Sequence, residues 1–270
     1  MIMNKMVTVI TTAAVLTACS SGQPKMLVLY YSQEGATQKV AETIASLTGA
    51  DIERFDVESP YSGSFEETIQ RCLKEREEGV SPELRPISAD LSKYDVVFLG
   101  YPIWFGTIAP PVAALLKEVD LEGKTVVPFC TFGSGGLQSS TADLKLALPG
   151  ADIRDGYGIR AARIAKVGEE VERFLILGGY KDGEAEAYPD YSTQEPVTEE
   201  QAAIFDAACS DYQYPLGKPV AAGSRKTPSG VDYLFTAEGA GPDGRVSQSK
   251  IYVTVPKEEG SKPEFTMVVR

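Results

Sequence analysis

Three short stretches of this 270-residue chain combine residue types at spacings that could do chemistry. The first is Ser32-Gln33-Glu34-Gly35-Ala36-Thr37, between an apolar run and a helix-period segment. Small and hydroxyl residues at a helix start expose backbone N–H groups to an anion. Gly35 lets the backbone approach closely, and Ser32 and Thr37 add hydroxyl donors. A capped helix start without ligand reads the same way. The second stretch is Gly100-Tyr101-Pro102-Ile103-Trp104-Phe105-Gly106-Thr107. Two large aromatics between glycines after a buried strand suit a flat aromatic ligand, by stacking. The alternative is an aromatic cluster that closes the loop on itself. The third is Thr131-Phe132-Gly133-Ser134-Gly135-Gly136, whose small residues leave room for a bound group or make a flexible connection.

Other chemistries are excluded by composition. The chain has no histidine, which removes Ser-His-Asp and Cys-His catalysis and histidine-ligated zinc. The four cysteines have no C-x-x-C spacing, so a zinc ribbon, an iron–sulfur motif and a thioredoxin-like pair are excluded. Net charge is −12, which argues against nucleic acid as a partner and favours a basic one. No G-x-x-x-x-G-K-[ST] loop is present, and the one G-x-G-x-x-G match, 239–244, falls on a turn signal between two strand patterns and not between a strand and a helix, so it is no dinucleotide site.

The elements that must position the three stretches alternate strand and helix. Strand patterns fall at Met26–Tyr31, Ile52–Val57, Val96–Leu99, Thr125–Thr131 and from Ile153. Helix patterns fall at Gly35–Leu47, Phe65–Glu78, Pro111–Val119, Gln138–Leu148 and Lys166–Leu177. This alternation predicts an α/β fold, a doubly wound five-stranded parallel sheet with helices on both faces. With strand order 2-1-3-4-5, all three stretches meet beyond the carboxyl ends of the strands.

Residues 26–179, with these motifs, resemble the flavodoxin-like, FMN-binding family. Ser32, Gly35, Ala36 and Thr37 fit its phosphate loop, and Tyr94 to Thr107 is similar to its isoalloxazine-loop signature. The resemblance implies FMN as cofactor, with Ser32 to Thr37 holding its phosphate. Pro102, Ile103, Trp104, Phe105 and Gly106, with Thr131, Phe132, Gly133, Ser134 and Gly135, would line the ring and ribityl chain. Trp104 would flank the ring, and backbone near Trp104–Gly106 would meet flavin N5. Glu34 departs from the family's usual threonine. A carboxylate about 5 Å from a phosphate costs roughly 3 kcal/mol per charge pair at an effective dielectric of about 20. Redox transfer to an unidentified partner protein is the implied function, as carrier or FMN-dependent oxidoreductase. A flavin-free envelope scaffold on a degenerate fold is the alternative.

The flanking regions differ in character. Lys5 and the apolar run Met6–Ala18 read as a secretory signal, too short to span a bilayer. Leu16-Thr17-Ala18-Cys19 resembles a bacterial lipobox, which implies acylation at Cys19, a tether over 19–25 and anchoring to a cell membrane or outer membrane, facing the periplasm or exterior. Residues 180–198 read as a linker. Residues 199–270 read as a small α+β domain with one helix and four antiparallel strands. Its Val220-Ala221-Ala222-Gly223 faintly resembles a loop of cystatin-like domains, with Pro219 where that family has glutamine. Protease inhibition is not implied by so short a likeness.

Overall fold

The computed structural model describes residues 22–61, 64–240 and 245–270. The signal, Cys19 and the turn 241–244 lie outside the described residues. The chain divides into two compact units between Ala185 and Glu186.

The first unit runs β1 (Met26–Tyr30), α1 (Ala36–Thr48), β2 (Asp51–Arg54), α2 (Phe65–Glu78), β3 (Val96–Trp104), β4 (Thr107–Ile108) and α3 (Pro110–Glu118). It continues with β5 (Thr125–Phe132), α4 (Leu137–Ala147), β6 (Asp152–Ile153), β7 (Tyr157–Arg160) and α5 (Val167–Leu177). The sheet order is β2-β1-β3-β5-β6, with β7 also on β5 and β4 on β3. This is the expected 2-1-3-4-5 order, with the fifth strand split into β6 and β7. All these pairings are parallel except β3–β4.

The central strands are apolar along their length because both faces are covered. Leu27, Val28, Leu29, Val97, Phe98, Leu99, Val126 and Val127 are all buried. On one face Val40, Ala41 and Ile44 of α1 join Val167, Val171 and Leu175 of α5 over Val28, Phe98 and Phe129. Helix α2 starts in a capping box, with Glu67 N–H donating to Ser64 Oγ at 3.2 Å and Ser64 N–H to Glu67 Oε2 at 2.5 Å.

Two departures from the sequence reading concern function. Strand β3 does not stop at Leu99 but runs to Trp104, so the aromatic stretch is largely strand. It then turns back through Phe105-Gly106 into β4, with Trp104 opposite Thr107 and Ile103 opposite Ile108. Both turn residues have positive φ, 53° and 79°, as in a two-residue type I′ hairpin turn. The linker expected at 180–198 is also divided. Tyr180 packs on Phe98 in the first unit, whereas residues from Tyr188 onward belong to the second.

The second unit holds β8 (Glu195–Pro196), α6 (Glu199–Cys209), β9 (Lys218–Thr227), β10 (Gly230–Ala240), β11 (Val246–Pro256) and β12 (Glu264–Val269). Its antiparallel sheet has order β12-β11-β10-β9-β8, one strand more than expected. Phe205 of α6 packs on Phe235, Ile251, Val253, Phe265 and Val268. The Val220–Gly223 run lies within β9, paired to β10 and in part to β8, and is not a loop tip. On the other face Arg225 is ion-paired to Asp232 at 3.0 Å beneath Tyr188 and Tyr191.

Gly100 sits where β3 passes closest to a ring of β5. A Cβ there would meet three ring atoms of Phe129 at 2.1 to 2.8 Å. Gly100→Ala is expected to lower unfolding stability by roughly 1–3 kcal/mol. An unchanged urea midpoint would disprove this close approach.

Candidate functional site

The three stretches converge at the carboxyl ends of β1, β3 and β5. Thr37 Oγ1 lies 2.8 Å from Thr131 Oγ1, joining the first stretch to the end of β5. Trp104 packs edge-on to Tyr31, the residue just before the first stretch, with ring centroids 6.1 Å apart, which brings the hairpin beside it. Ser139 Oγ donates to the Gly106 carbonyl at 2.6 Å, and Thr107 bonds the Asp143 carboxylate, joining the hairpin to α4. A Cβ on Gly136 would come within 2.6 Å of Ile103, so hairpin and third stretch are in close packing.

The first stretch forms an anion cradle. Ser32 is buried and its Oγ accepts the Gly35 N–H at 3.1 Å. Gly35 takes φ of 90°, with open space where a Cβ would be. No side chain caps α1, and the helix's hydrogen bonding opens with Lys39 N–H to the Gly35 carbonyl at 3.0 Å. The leading amides of α1 thus have neither an intrahelical acceptor nor a side-chain cap, and they sit at the positive end of the helix dipole, where an anion is favoured. Of the two hydroxyl protons in the Thr37–Thr131 pair, one is used between them and the other is left for a third group.

The loop's remaining residues brace it from outside. Gln33 turns away from the cradle and donates to the Tyr61 carbonyl at 3.0 Å and to Thr68 Oγ1 at 3.1 Å. Arg54 Nη2 donates to the Ser32 carbonyl at 2.9 Å and to Asp56 at 3.0 Å. Glu34 is exposed, which separates its carboxylate from the buried Ser32 and Thr37 by solvent and weakens the repulsion weighed above.

Trp104 is half-buried within an aromatic cluster and does not stand free. Its ring is 5.1 Å from Tyr61, edge-on. Tyr61 is itself fixed, with its hydroxyl donating to Glu75 at 2.5 Å and the Arg71 guanidinium 3.7 Å over its ring. Burial, foremost, pushes the Tyr31 hydroxyl up to about 12 and drives Tyr61 in the same direction, helped by Glu75. Both remain neutral aromatic walls at physiological pH. The nearby Cys72 thiol is pushed up to about 11, again chiefly by burial, so it is not a thiolate nucleophile.

The structure sorts the expected lining residues. Pro102 stands opposite Thr131 in the β3–β5 register, and Gly133, Ser134 and Gly135 form the loop after β5. The Gly133 carbonyl accepts Arg160 Nε at 2.8 Å, which fixes that loop to the end of β7. Phe132 is not brought to the cradle. It alternates to the face opposite Thr131 and packs against Gly158. Sequence reading missed Tyr31, Tyr61 and Arg54. Tyr61 follows Pro60 in the connection between β2 and α2, so the signal that marked the hairpin, an aromatic where a connection is expected, was present there too.

A group with a phosphate at one end and a flat ring at the other fits this donor set: uncapped amides and hydroxyls at one end, aromatics at the other. The matching family model is flavodoxin, over residues 25–172. The chain belongs to the flavodoxin family. Family membership makes it an FMN-binding flavoprotein.

Particular relatives are more distant. A Cupriavidus metallidurans NAD(P)H dehydrogenase (quinone) is 31% identical over 96 residues, 35% of this chain and 46% of that protein. The chain thus spans about half the length of this curated relative. A Bacteroides eggerthii protein assigned as a flavoprotein is 26% identical over 57% of this chain and 98% of its own, with a TM-score of 0.49. A Lactobacillus acidophilus flavoprotein solved with FMN is 24% identical over 55% of this chain and 99% of its own, with a TM-score of 0.46.

The hydroxyl pair makes a testable claim. Thr37→Val and Thr131→Val are each expected to destabilise the protein by roughly 1–3 kcal/mol, because each leaves a buried hydroxyl without its partner. The double variant should cost less than their sum. Strict additivity in urea unfolding would show that the two hydroxyls are not coupled.

Proposed function

We propose that this protein is a membrane-tethered electron carrier of the bacterial cell envelope, using FMN bound at the three converging stretches. The observation that carries the reading is the Thr37–Thr131 contact at the uncapped start of α1, which sets the amide cradle beside the end of β5 and the glycine loop that follows it. The amides of α1, with Ser32, Gly35 and one hydroxyl of the pair, hold the phosphate. The tip of the β3–β4 hairpin and the Gly133–Gly135 loop hold the ring end. When bound, the flavin supplies one- and two-electron redox chemistry, and the protein supplies position and electrostatics. No acid–base side chain is needed for this role, in keeping with a chain that has no histidine.

The lipid tether rests on Leu16-Thr17-Ala18-Cys19 after the apolar run. Among the described residues no helix is long and apolar enough to cross a membrane. Acyl chains on Cys19 would supply the attachment, and more than one chain is needed for stable anchoring. The net acidic chain favours a basic partner protein by electrostatic steering. The carrier form is favoured over an NAD(P)H-consuming enzyme because the one G-x-G-x-x-G match, 239–244, lies outside the flavodoxin-like region and is not followed by a helix pattern.

Two measurements test the proposal. In a bacterial host, the parent chain is expected in the membrane fraction and Cys19→Ala in the soluble envelope fraction. Equal partition of the two removes the tether. The FMN-loaded protein, one flavin per chain by absorbance, is expected not to be reduced by NADPH alone and to be reduced once a flavoprotein reductase is added. Steady NADPH oxidation without a partner overturns the carrier form.

A further inference from the structure

We propose that Phe105, and not Trp104, is the aromatic side chain that lies against the flavin ring, with Trp104 acting as an internal buttress of the hairpin. The assignment rests on the FMN site described above. Trp104 already has its contacts. It is edge-on to Tyr31 and to Tyr61, and Tyr61 is locked by Glu75 and Arg71. Moving the indole to meet a ligand would dismantle that cluster.

Phe105 is the opposite case. It is 55% exposed, and no aromatic partner for it is found among the described residues. It is also the one residue other than glycine with positive φ among the described residues, at 53°. A two-residue hairpin turn with both φ values positive is met without strain by Asn-Gly or Gly-Gly. Here a bulky aromatic occupies the first position. One residue thus carries both an exposed apolar ring and a strained backbone.

Strain of this kind persists only where the surroundings over-determine it. The surroundings do so here. Ser139 holds the Gly106 carbonyl, Asp143 holds Thr107, and Gly136 packs on Ile103. The hairpin tip is therefore carried at a fixed place on the rim shared by the three stretches. A planar conjugated ligand at that rim would cover the exposed ring by stacking, which offsets both costs.

The test uses the full chain in detergent, with FMN binding read by absorbance and by quenching of flavin fluorescence, and apoprotein stability read by thermal melting. Phe105→Gly and Phe105→Asn are expected to weaken FMN binding roughly tenfold and to leave more flavin fluorescence, by loss of one stacking partner. Their apoprotein melting temperatures are expected to equal or exceed that of the parent, since both residues accept positive φ. Phe105→Trp is expected to restore affinity and quenching. Trp104→Leu is expected to lower the apoprotein melting temperature while changing FMN affinity less than Phe105→Gly. Parental affinity and quenching in Phe105→Gly overturn this assignment alone. A parent chain that takes up no FMN overturns both the assignment and the cofactor site on which it rests.

Discussion

The first unit is governed by the burial of its central strands on both faces. With β1, β3 and β5 covered above and below, no polar side chain can project from their middles without losing its hydration. Chemistry is displaced to the strand ends, where the chain leaves the layer and hydroxyls and amides reappear. The Thr37–Thr131 pair marks that transition. It is buried and joins two elements far apart in sequence. The cradle and the glycine loop meet at it.

The same constraint explains what could be read from sequence. Continuous apolar runs at 26–31, 96–99 and 125–131 announce strands covered on both sides, and from them follow the sheet, its order and the three stretches at its edge. Less legible was anything decided by tertiary contact. Strand β3 continues through Gly100 to Trp104 because the neighbouring β5 continues with it to Thr131, a pairing that no local pattern in 100–104 reveals. Gln33 sits in the middle of a phosphate-loop motif yet faces Tyr61 and Thr68. Phe132 belongs to the third stretch by position and to the other face of the sheet by alternation. Motif spacing identifies the loop, whereas the pleat decides which of its members arrive.

Adjacent aromatics on the hairpin divide two tasks. Trp104 is tied into a cluster with Tyr31 and Tyr61 and gives the hairpin a rigid root. Phe105 and Gly106 make the bend itself, held from α4 by Ser139 and Asp143. Rigidity comes from the buried residue and reach from the exposed one. Neighbouring residues with similar chemistry are thereby separated by backbone geometry alone.

The second unit begins earlier than its helix suggests. Attachments of the first unit run as far as Gly183, which packs on Ile176. Those of the second begin by Tyr188, whose ring lies over Arg225. Ser192 and Gln194 then bond to Ser224 and Leu234, and Glu195–Pro196 completes the sheet edge beside β9. A C-terminal fragment cut at Glu199 would lose this strap. It would bare Ala221 and Ala222 of β9 as an unshielded strand edge and uncover the Arg225–Asp232 pair. Such a fragment presents an open template for self-association. A protease acting on the native chain would release a well-behaved fragment only by cutting between Gly183 and Tyr188.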